Sequence, residues 1–138
     1  LRVCGDGSKF GAPINRLGLT MSYTELSPIV RLIGASRTLE ILFGGGLITA
    51  QRAYDIGLVT TVVPDGTVRE EVDSVLENIG SGAPLVNRWH KKFVRNLVDG
   101  VDVTEEMKEE AYEAFQTEDY KEGIQAFLER RKPKFKGR

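Results

Sequence analysis

The chain has 138 residues, the length of one modest domain, and its 41% apolar and 28% charged residues are typical of a globular protein. Its net charge of −1 gives no reason to expect nucleic acid or an anionic membrane as a partner, and its apolar runs are far shorter than the roughly 20 residues of a membrane span. The single cysteine, Cys4, excludes an internal disulfide and fits a reducing compartment, so we expect a cytoplasmic location.

The opening residues Leu1-Arg2-Val3-Cys4 have the pattern of the middle or end of a β-strand. Such a strand needs a partner strand, and no suitable stretch lies nearby in the sequence. There is also no initiator Met. We therefore expect this chain to be the C-terminal part of a longer protein.

Apolar residues at helical spacing predict a first helix that stops at Gly34 and a second helix capped by Ser36. Thr49 is placed to cap a third, short helix over residues 50–56, with Gly57 as its left-handed end. The first part of the chain is therefore predicted to be mostly helical.

The β-branched run over residues 58–63 ends at Pro64 and predicts a short strand. Four helices are predicted after it: over residues 67–80, after Pro84, a long one from near Asp102 or Thr104, and one after Thr117 up to Pro133. On the last helix, we expect an apolar stripe to be buried, namely Tyr120, Ile124, Phe127 and Leu128. The order of elements indicates an α/β chain that is mostly helical, with short strands near its start and at residues 58–63.

Three segments, in this order and at this spacing, carry a family resemblance. They are "KFGAPINRLGL", "RLIGASRTLEILFGGGLITAQRAYDIGLVTTVVP" and "TEDYKEGIQAFLERRKPKFKGR". Together they resemble the enoyl-CoA hydratase/isomerase family, the crotonases, over the whole chain. The resemblance implies the C-terminal part of a crotonase fold. Residues 1–64 would be the end of the core, with the active-site loop and short helices, and residues 65–138 a C-terminal helical region.

The resemblance also implies a chemistry. Crotonases bind an acyl-CoA thioester and stabilise an enolate-like oxyanion with two backbone N–H groups, which act because they are aimed in advance at developing charge. Both donors, and the first of two glutamates used by hydratases, belong to an N-terminal half of repeated ββα units. We therefore expect that half to be the missing partner of this chain, which alone would be catalytically incomplete. No cofactor is expected, since coenzyme A is part of the substrate.

One position departs from the family pattern. In hydratases a second glutamate directly follows the proline of the Phe-Gly-x-Pro stretch, and the matching residue here is Ile14. Isoleucine cannot transfer a proton, and the neighbouring Asn15 can orient groups without titrating near neutrality. The resemblance therefore places Ile14 at the substrate, while ordinary hydration by two glutamates is in doubt.

The loop that follows offers a substitute acid. The resemblance assigns substrate contacts to Met21, Ser22 and Tyr23, and Glu25 is the candidate catalytic residue. If Glu25 were buried against Met21 and Tyr23, desolvation would raise its pKa towards that of a useful acid or base. The alternative is that Glu25 satisfies the free N–H groups of the first helical turn, and that Tyr23 only packs.

The basic C-terminal tail has three interpretations. Six of the nine residues from Arg130 to Arg138 are cationic, which commonly means a solvated and frayed end. The resemblance instead places Lys132 near the adenine and phosphate end of coenzyme A, and Phe127 near that ligand or a neighbouring subunit. RNA binding is the weakest option, because aromatic residues are not interleaved with the charges.

Other reactive residues are expected to be structural. His90 has no triad-like or ligand-like neighbours in the sequence and is expected at a surface or interface, Cys4 is expected to be a small buried hydrophobe, and no metal site is predicted.

Two functions of different classes follow. The first is an enzyme of fatty acid metabolism that hydrates or isomerises an acyl-CoA through a thioester enolate. The second is a catalytically silent crotonase-like protein that serves in binding or assembly. On both accounts the resemblance implies a homotrimer or a dimer of trimers, because crotonases associate in this way. The sequence agrees in one respect, since its helices carry more large apolar residues than they can bury among themselves, such as Trp89, Phe93, Phe115 and Phe127.

Overall fold

The computed structural model describes all residues from Leu1 to Arg138, and they form two compact units, Leu1–Ser74 and Val75–Arg138. The division lies inside one helix, Val68–Gly80. The boundary proposed from the sequence, after residue 64, lies before this helix and stays a prediction. No helix in the chain combines the length and the apolar character needed to cross a membrane.

The first unit contains two short strand pairs. Strand β1 (Val3–Gly5) pairs in parallel with β4 (Thr61–Val63), in the register Val3 with Thr61, and β2 (Lys9–Phe10) pairs antiparallel with β3 (Ile48–Thr49). The opening strand therefore has a partner within this chain, although none lies nearby in the sequence. Its partner follows after a long crossover, as parallel pairing requires.

Strand β4 is shorter than the predicted strand over residues 58–63. The N–H groups of Leu58 and Val59 donate instead to the carbonyl of Ala53, at 2.8 and 3.2 Å. These bonds close the end of the preceding helix, α2 (Ala50–Asp55). Because both amides are committed to the helix end, ladder pairing starts only at Thr61.

The predicted helix boundaries in the first unit are largely confirmed. Helix α1 (Tyr23–Gly44) is kinked at Gly34, whose φ of 78° and ψ of 165° are not helical. The second arm resumes directly after this glycine, so Ser36 lies inside the arm and does not cap it. Thr49 caps α2 by accepting a hydrogen bond from the N–H of Arg52 at 3.1 Å.

The second unit consists of helices: α3 (Val68–Gly80) leads into it, and α4 (Pro84–Val98), α5 (Glu105–Glu110) and α6 (Glu118–Leu128) follow. Helices α5 and α6 begin as predicted, after Thr104 and Thr117, and each of these threonines accepts a hydrogen bond from an N–H three residues later. Two lengths were wrong. Helix α5 gives way to a 3-10 helix at Ala111, and α6 ends at Leu128 rather than Pro133, because Arg130 takes a left-handed φ of 56°.

Burial is sparse in both units. The core of the first unit gathers Cys4, Ala50, Ala53 and Val59, which confirms Cys4 as a buried small hydrophobe. On α6 the buried residues are Asp119 and Ala126. The expected burial of the stripe Tyr120, Ile124, Phe127 and Leu128 is wrong for this chain, since their side chains remain 41 to 81% exposed.

Candidate functional site

A short 3-10 helix, Pro13–Leu17, carries the position at which the chain departs from the family pattern. Proline at its start has a preset φ and no N–H to satisfy. Gly18 ends it in the left-handed region, with a φ of 68°, and the N–H of Leu19 donates to the carbonyl of Ile14 at 3.1 Å. Strand β2 leads into this loop, so its pairing with β3 anchors the loop to the first unit.

Asn15 fastens the loop to the C-terminal end of α1. Its side-chain N–H donates to the carbonyl of Phe43 at 3.2 Å. Gly45, which ends α1, has a φ of 55°, and a Cβ atom added there would lie 2.6 Å from the Asn15 side-chain oxygen. Both the backbone conformation and this close approach favour glycine at the position.

The loop opens on an apolar pocket of about 150 Å³. It is lined by residues from the loop and from both ends of α1: Ile14, Asn15, Leu19, Thr20, Met21, Leu26, Leu42 and Phe43. The structure therefore brings together two of the predicted substrate-binding residues, Ile14 and Met21. Leu42 and Phe43 were missed as lining residues, although their helical spacing already marked them as apolar positions.

The other loop residues form a capping box at the start of α1, outside the pocket lining. The N–H of Ser22 and its hydroxyl both donate to Glu25 Oε2, at 2.7 Å each, and the N–H of Glu25 donates to Ser22 Oγ at 3.4 Å. Tyr23 is 93% exposed.

These contacts set the charge of Glu25. Its carboxylate is exposed, and hydrogen bonds from the Ser22 side chain, then from the Ser22 backbone, lower its pKa below the ordinary value. The condition for a raised pKa, burial against Met21 and Tyr23, is not met within this chain, and the alternative, a capping role at the first helical turn, is the arrangement observed. Glu25 is therefore ionised at neutral pH. Its catalytic role stays a prediction.

In the second unit, Lys132 lines a groove of about 640 Å³. The groove lies between the end of α3, the start of α4 and the tail, and its lining is Glu77, Asn78, Gly80, Ser81, Pro84, Lys132, Pro133, Lys134 and Phe135. Phe127 is not part of this lining and is 81% exposed on α6. The two residues assigned to the coenzyme A end are therefore not brought into one site within this chain.

The tail is ordered against α6, in contrast to the frayed end that its charge suggested. Arg131 donates to both carboxylate oxygens of Glu122, at 2.6 and 2.9 Å, and the N–H of Lys134 donates to Glu122 at 2.7 Å. The guanidinium of Arg131, followed by the Lys134 amide, lowers the pKa of Glu122 to about 2.

Of the remaining candidates, His90 is exposed on α4, as expected for a surface or interface position. The chain contains no group of three or more His, Cys, Asp or Glu side chains that could hold a metal ion.

The chain is similar to known proteins along its full length. The family model for Enoyl-CoA hydratase/isomerase matches residues 1–138. A short-chain-enoyl-CoA hydratase of Clostridioides difficile is 32% identical, over 92% of this chain and 83% of that protein. A probable enoyl-CoA hydratase of Bacillus subtilis is 30% identical, over 99% of this chain and 54% of that protein.

Solved structures agree. The crystal structure of an enoyl-CoA hydratase/carnithine racemase from Magnetospirillum magneticum superposes with a TM-score of 0.94 and 40% identity, over 100% of this chain and 52% of that one. An enoyl-CoA hydratase from Bacillus anthracis gives 0.88 and 33%, over 99% of this chain and 54% of that one. The fold predicted from the sequence is confirmed, and the chain spans about half the length of these two structures and of the Bacillus subtilis relative.

The capping box generates a prediction about pH. Because the folded pKa of Glu25 is lowered, the box stabilises the start of α1 fully above the ordinary carboxyl range and loses this effect as the pH falls through the lowered pKa. Replacing Ser22 by Ala removes the side-chain hydrogen bond that is the main cause of the lowered pKa. The Glu25 carboxylate should then titrate at a higher pH. Carboxyl-detected NMR measures this midpoint, and Ser27→Ala, on the same helix, is the control. An unchanged midpoint in Ser22→Ala would contradict the assignment.

Proposed function

The chain belongs to the enoyl-CoA hydratase/isomerase family, and on that premise we propose that it binds an acyl-CoA thioester and acts through a thioester enolate. The reaction class is hydration of a conjugated double bond or its isomerisation. This chain supplies only part of the site, and a preceding N-terminal half of the same protein supplies the oxyanion donors. The observation that carries the proposal is the family match over residues 1–138.

The geometry of the loop supports the binding part of this proposal. The apolar pocket beside Ile14 and Met21 suits an acyl chain, because burying apolar surface is the favourable part of binding such a group. Ser22 and Tyr23 lie just beyond it and would contact the thioester when the site is complete. Lys132 and Phe127 would serve the coenzyme A end.

Glu25 is the proposed acid–base residue. In its ionised form it takes a proton from water as the oxygen adds to the β-carbon, and a proton is then returned to the α-carbon of the enolate. In the isomerisation, it takes the proton from the α-carbon and returns it to the γ-carbon. Covering of the carboxylate by other polypeptide would desolvate it and raise its pKa towards the working range.

A second function is favoured by one observation, the isoleucine at position 14. Without an acid after the proline, the protein would be a catalytically silent member of the family that binds or assembles with a partner.

We also propose a cytoplasmic location, with no nucleic acid or membrane partner and no cofactor besides the coenzyme A of the substrate.

We propose that the protein self-associates, and the exposed apolar side chains of the second unit support this proposal. Phe115 is 50% exposed and Phe127 81% exposed, more apolar surface than a lone domain usually presents. We expect a homotrimer or a dimer of trimers. Light scattering on the protein eluting from a size-exclusion column gives the mass, and a monomer at micromolar concentration would contradict the expectation.

The catalytic role of Glu25 has a direct test. In the complete protein, Glu25→Gln should lower the rate of crotonyl-CoA hydration by roughly 100-fold to 10,000-fold, the contribution typical of a general acid or base. Loss of the conjugation absorbance follows the reaction, and Glu70→Gln, another exposed glutamate, is the control.

The outcomes separate the two functions. Equal rates in wild type and Glu25→Gln would remove Glu25 from the mechanism. Thermal stabilisation of the wild type by coenzyme A, without any turnover, would favour the silent protein. No stabilisation by coenzyme A or by crotonyl-CoA would count against acyl-CoA binding itself.

Position 14 offers a gain-of-function test. Ile14→Glu puts a carboxyl group where hydratases carry their second glutamate, and the apolar pocket raises its pKa towards the working range. We expect crotonyl-CoA hydration to rise by roughly tenfold or more relative to Ile14→Gln, which has a similar shape and no proton to transfer. Equal rates in two variants that both melt cooperatively would show that position 14 does not face the reacting carbon atoms.

A further inference from the structure

Asp119, in the first turn of α6, is a charged residue in an unusual place. It is only 3% exposed. Its Oδ1 accepts a hydrogen bond from the N–H of Lys136 at 2.6 Å, and its Oδ2 accepts one from the N–H of Gly137 at 2.8 Å. Its own N–H donates to the carbonyl of Arg138 at 3.2 Å. A buried carboxylate is costly unless it is fully hydrogen-bonded, and the tail meets that need.

Glu122 holds the tail one turn further along α6. It accepts from the N–H of Lys134 and from the guanidinium of Arg131. The ring of Phe135 lies over Gly123, the residue after Glu122, where an added Cβ would be 3.6 Å from the ring. The tail from Arg131 to Gly137 is therefore fixed along the helix at several successive points.

The two acids bind the tail mainly through its backbone, and this choice matters for charge. Asp119 contacts amide groups only, and Glu122 neutralises one side chain, that of Arg131. The lysine side chains at 132 and 134 line the groove described above, and they differ in their relation to these acids. The charge of Lys134 helps to lower the pKa of Glu122, while Lys132 forms no salt bridge with either acid. The arrangement fixes the path of the chain and leaves Lys132 unpaired by Asp119 and Glu122, in a groove whose lining also includes Glu77.

We propose that Asp119 and Glu122 are positioning residues that hold the C-terminal tail in one conformation and so present Lys132 to the phosphate groups of the acyl-CoA. The inference rests on the proposed function. It concerns the nucleotide end of the substrate, because phosphate oxygens are the strongest acceptors that a lysine ammonium can meet there. The thioester end, at the pocket beside Ile14, is unaffected.

The test compares two substrates of the complete protein. Asp119→Asn keeps the shape of the side chain, and it removes the charge and one acceptor. It should raise the KM for crotonyl-CoA about tenfold, the effect of losing one charge-assisted contact. The KM for crotonyl-pantetheine, which lacks the nucleotide phosphates, and both kcat values should stay unchanged. Asp102→Asn, at an exposed position before α5, is the matched control.

A double mutant shows whether Asp119 acts through Lys132. Lys132→Ala alone should raise the KM for crotonyl-CoA, and adding Asp119→Asn should raise it no further, because the contact is already lost. Additive effects, or equal effects of Asp119→Asn on the two substrates, would overturn the proposal and leave Asp119 as a purely structural residue.

Binding separates this failure from that of the proposed function. Calorimetric titration of the wild type with coenzyme A should show binding that Asp119→Asn weakens about tenfold. If the wild type binds and Asp119→Asn binds equally well, the positioning role is wrong and the proposed function stands. If the wild type binds neither coenzyme A nor crotonyl-CoA, the proposed function falls and this inference falls with it.

Discussion

The parallel pairing of β1 with β4 is the contact on which the first unit depends. Arg2, just before β1, reinforces it by exchanging hydrogen bonds with Thr60 through both its N–H and its carbonyl. Because the paired strands are parallel, the chain must leave β1 at one end and return to β4 from the other. The excursion holds the 3-10 loop, both arms of α1 and helix α2, and Phe10, which leads into the loop bearing Ile14, packs against the small core.

Features that depend on neighbouring residues, such as helix starts, were mostly predicted from the sequence. Features that depend on distant residues were not. Thr49 was predicted as a cap, and Thr104 and Thr117 were predicted near helix starts, because a hydroxyl and an N–H three residues later are enough to begin a helix. The length of β4 is limited by the N–H groups of Leu58 and Val59, which donate to the carbonyl of Ala53. The exposure of Phe127 depends on what packs against α6. Neither property can be predicted from the residues that are adjacent in the sequence.

The same distinction runs through the candidate site. The family resemblance predicted Ile14 and Met21, which line one pocket, while the contribution of Leu42 and Phe43 required the fold. The pKa of Glu25 is lowered rather than raised because its carboxylate belongs to a Ser-x-x-Glu capping box, the structural alternative to the catalytic interpretation of this glutamate. Asp119 escaped notice for a related reason, since an acid in a first helical turn is ordinarily explained by the helix dipole alone.

The contact between Asn15 and the end of α1 has an evolutionary consequence. Asn15 and Gly45 are thirty residues apart in the sequence. The carboxamide of Asn15 occupies the space that the Cβ atom of a larger residue at position 45 would need. A larger residue at 45 could be accepted only after the side chain at 15 had become smaller, and the loop would then lose its bond to Phe43. Related sequences are therefore expected to change these two positions together, and a lineage that loses the pair is free to reshape the apolar pocket beside Ile14.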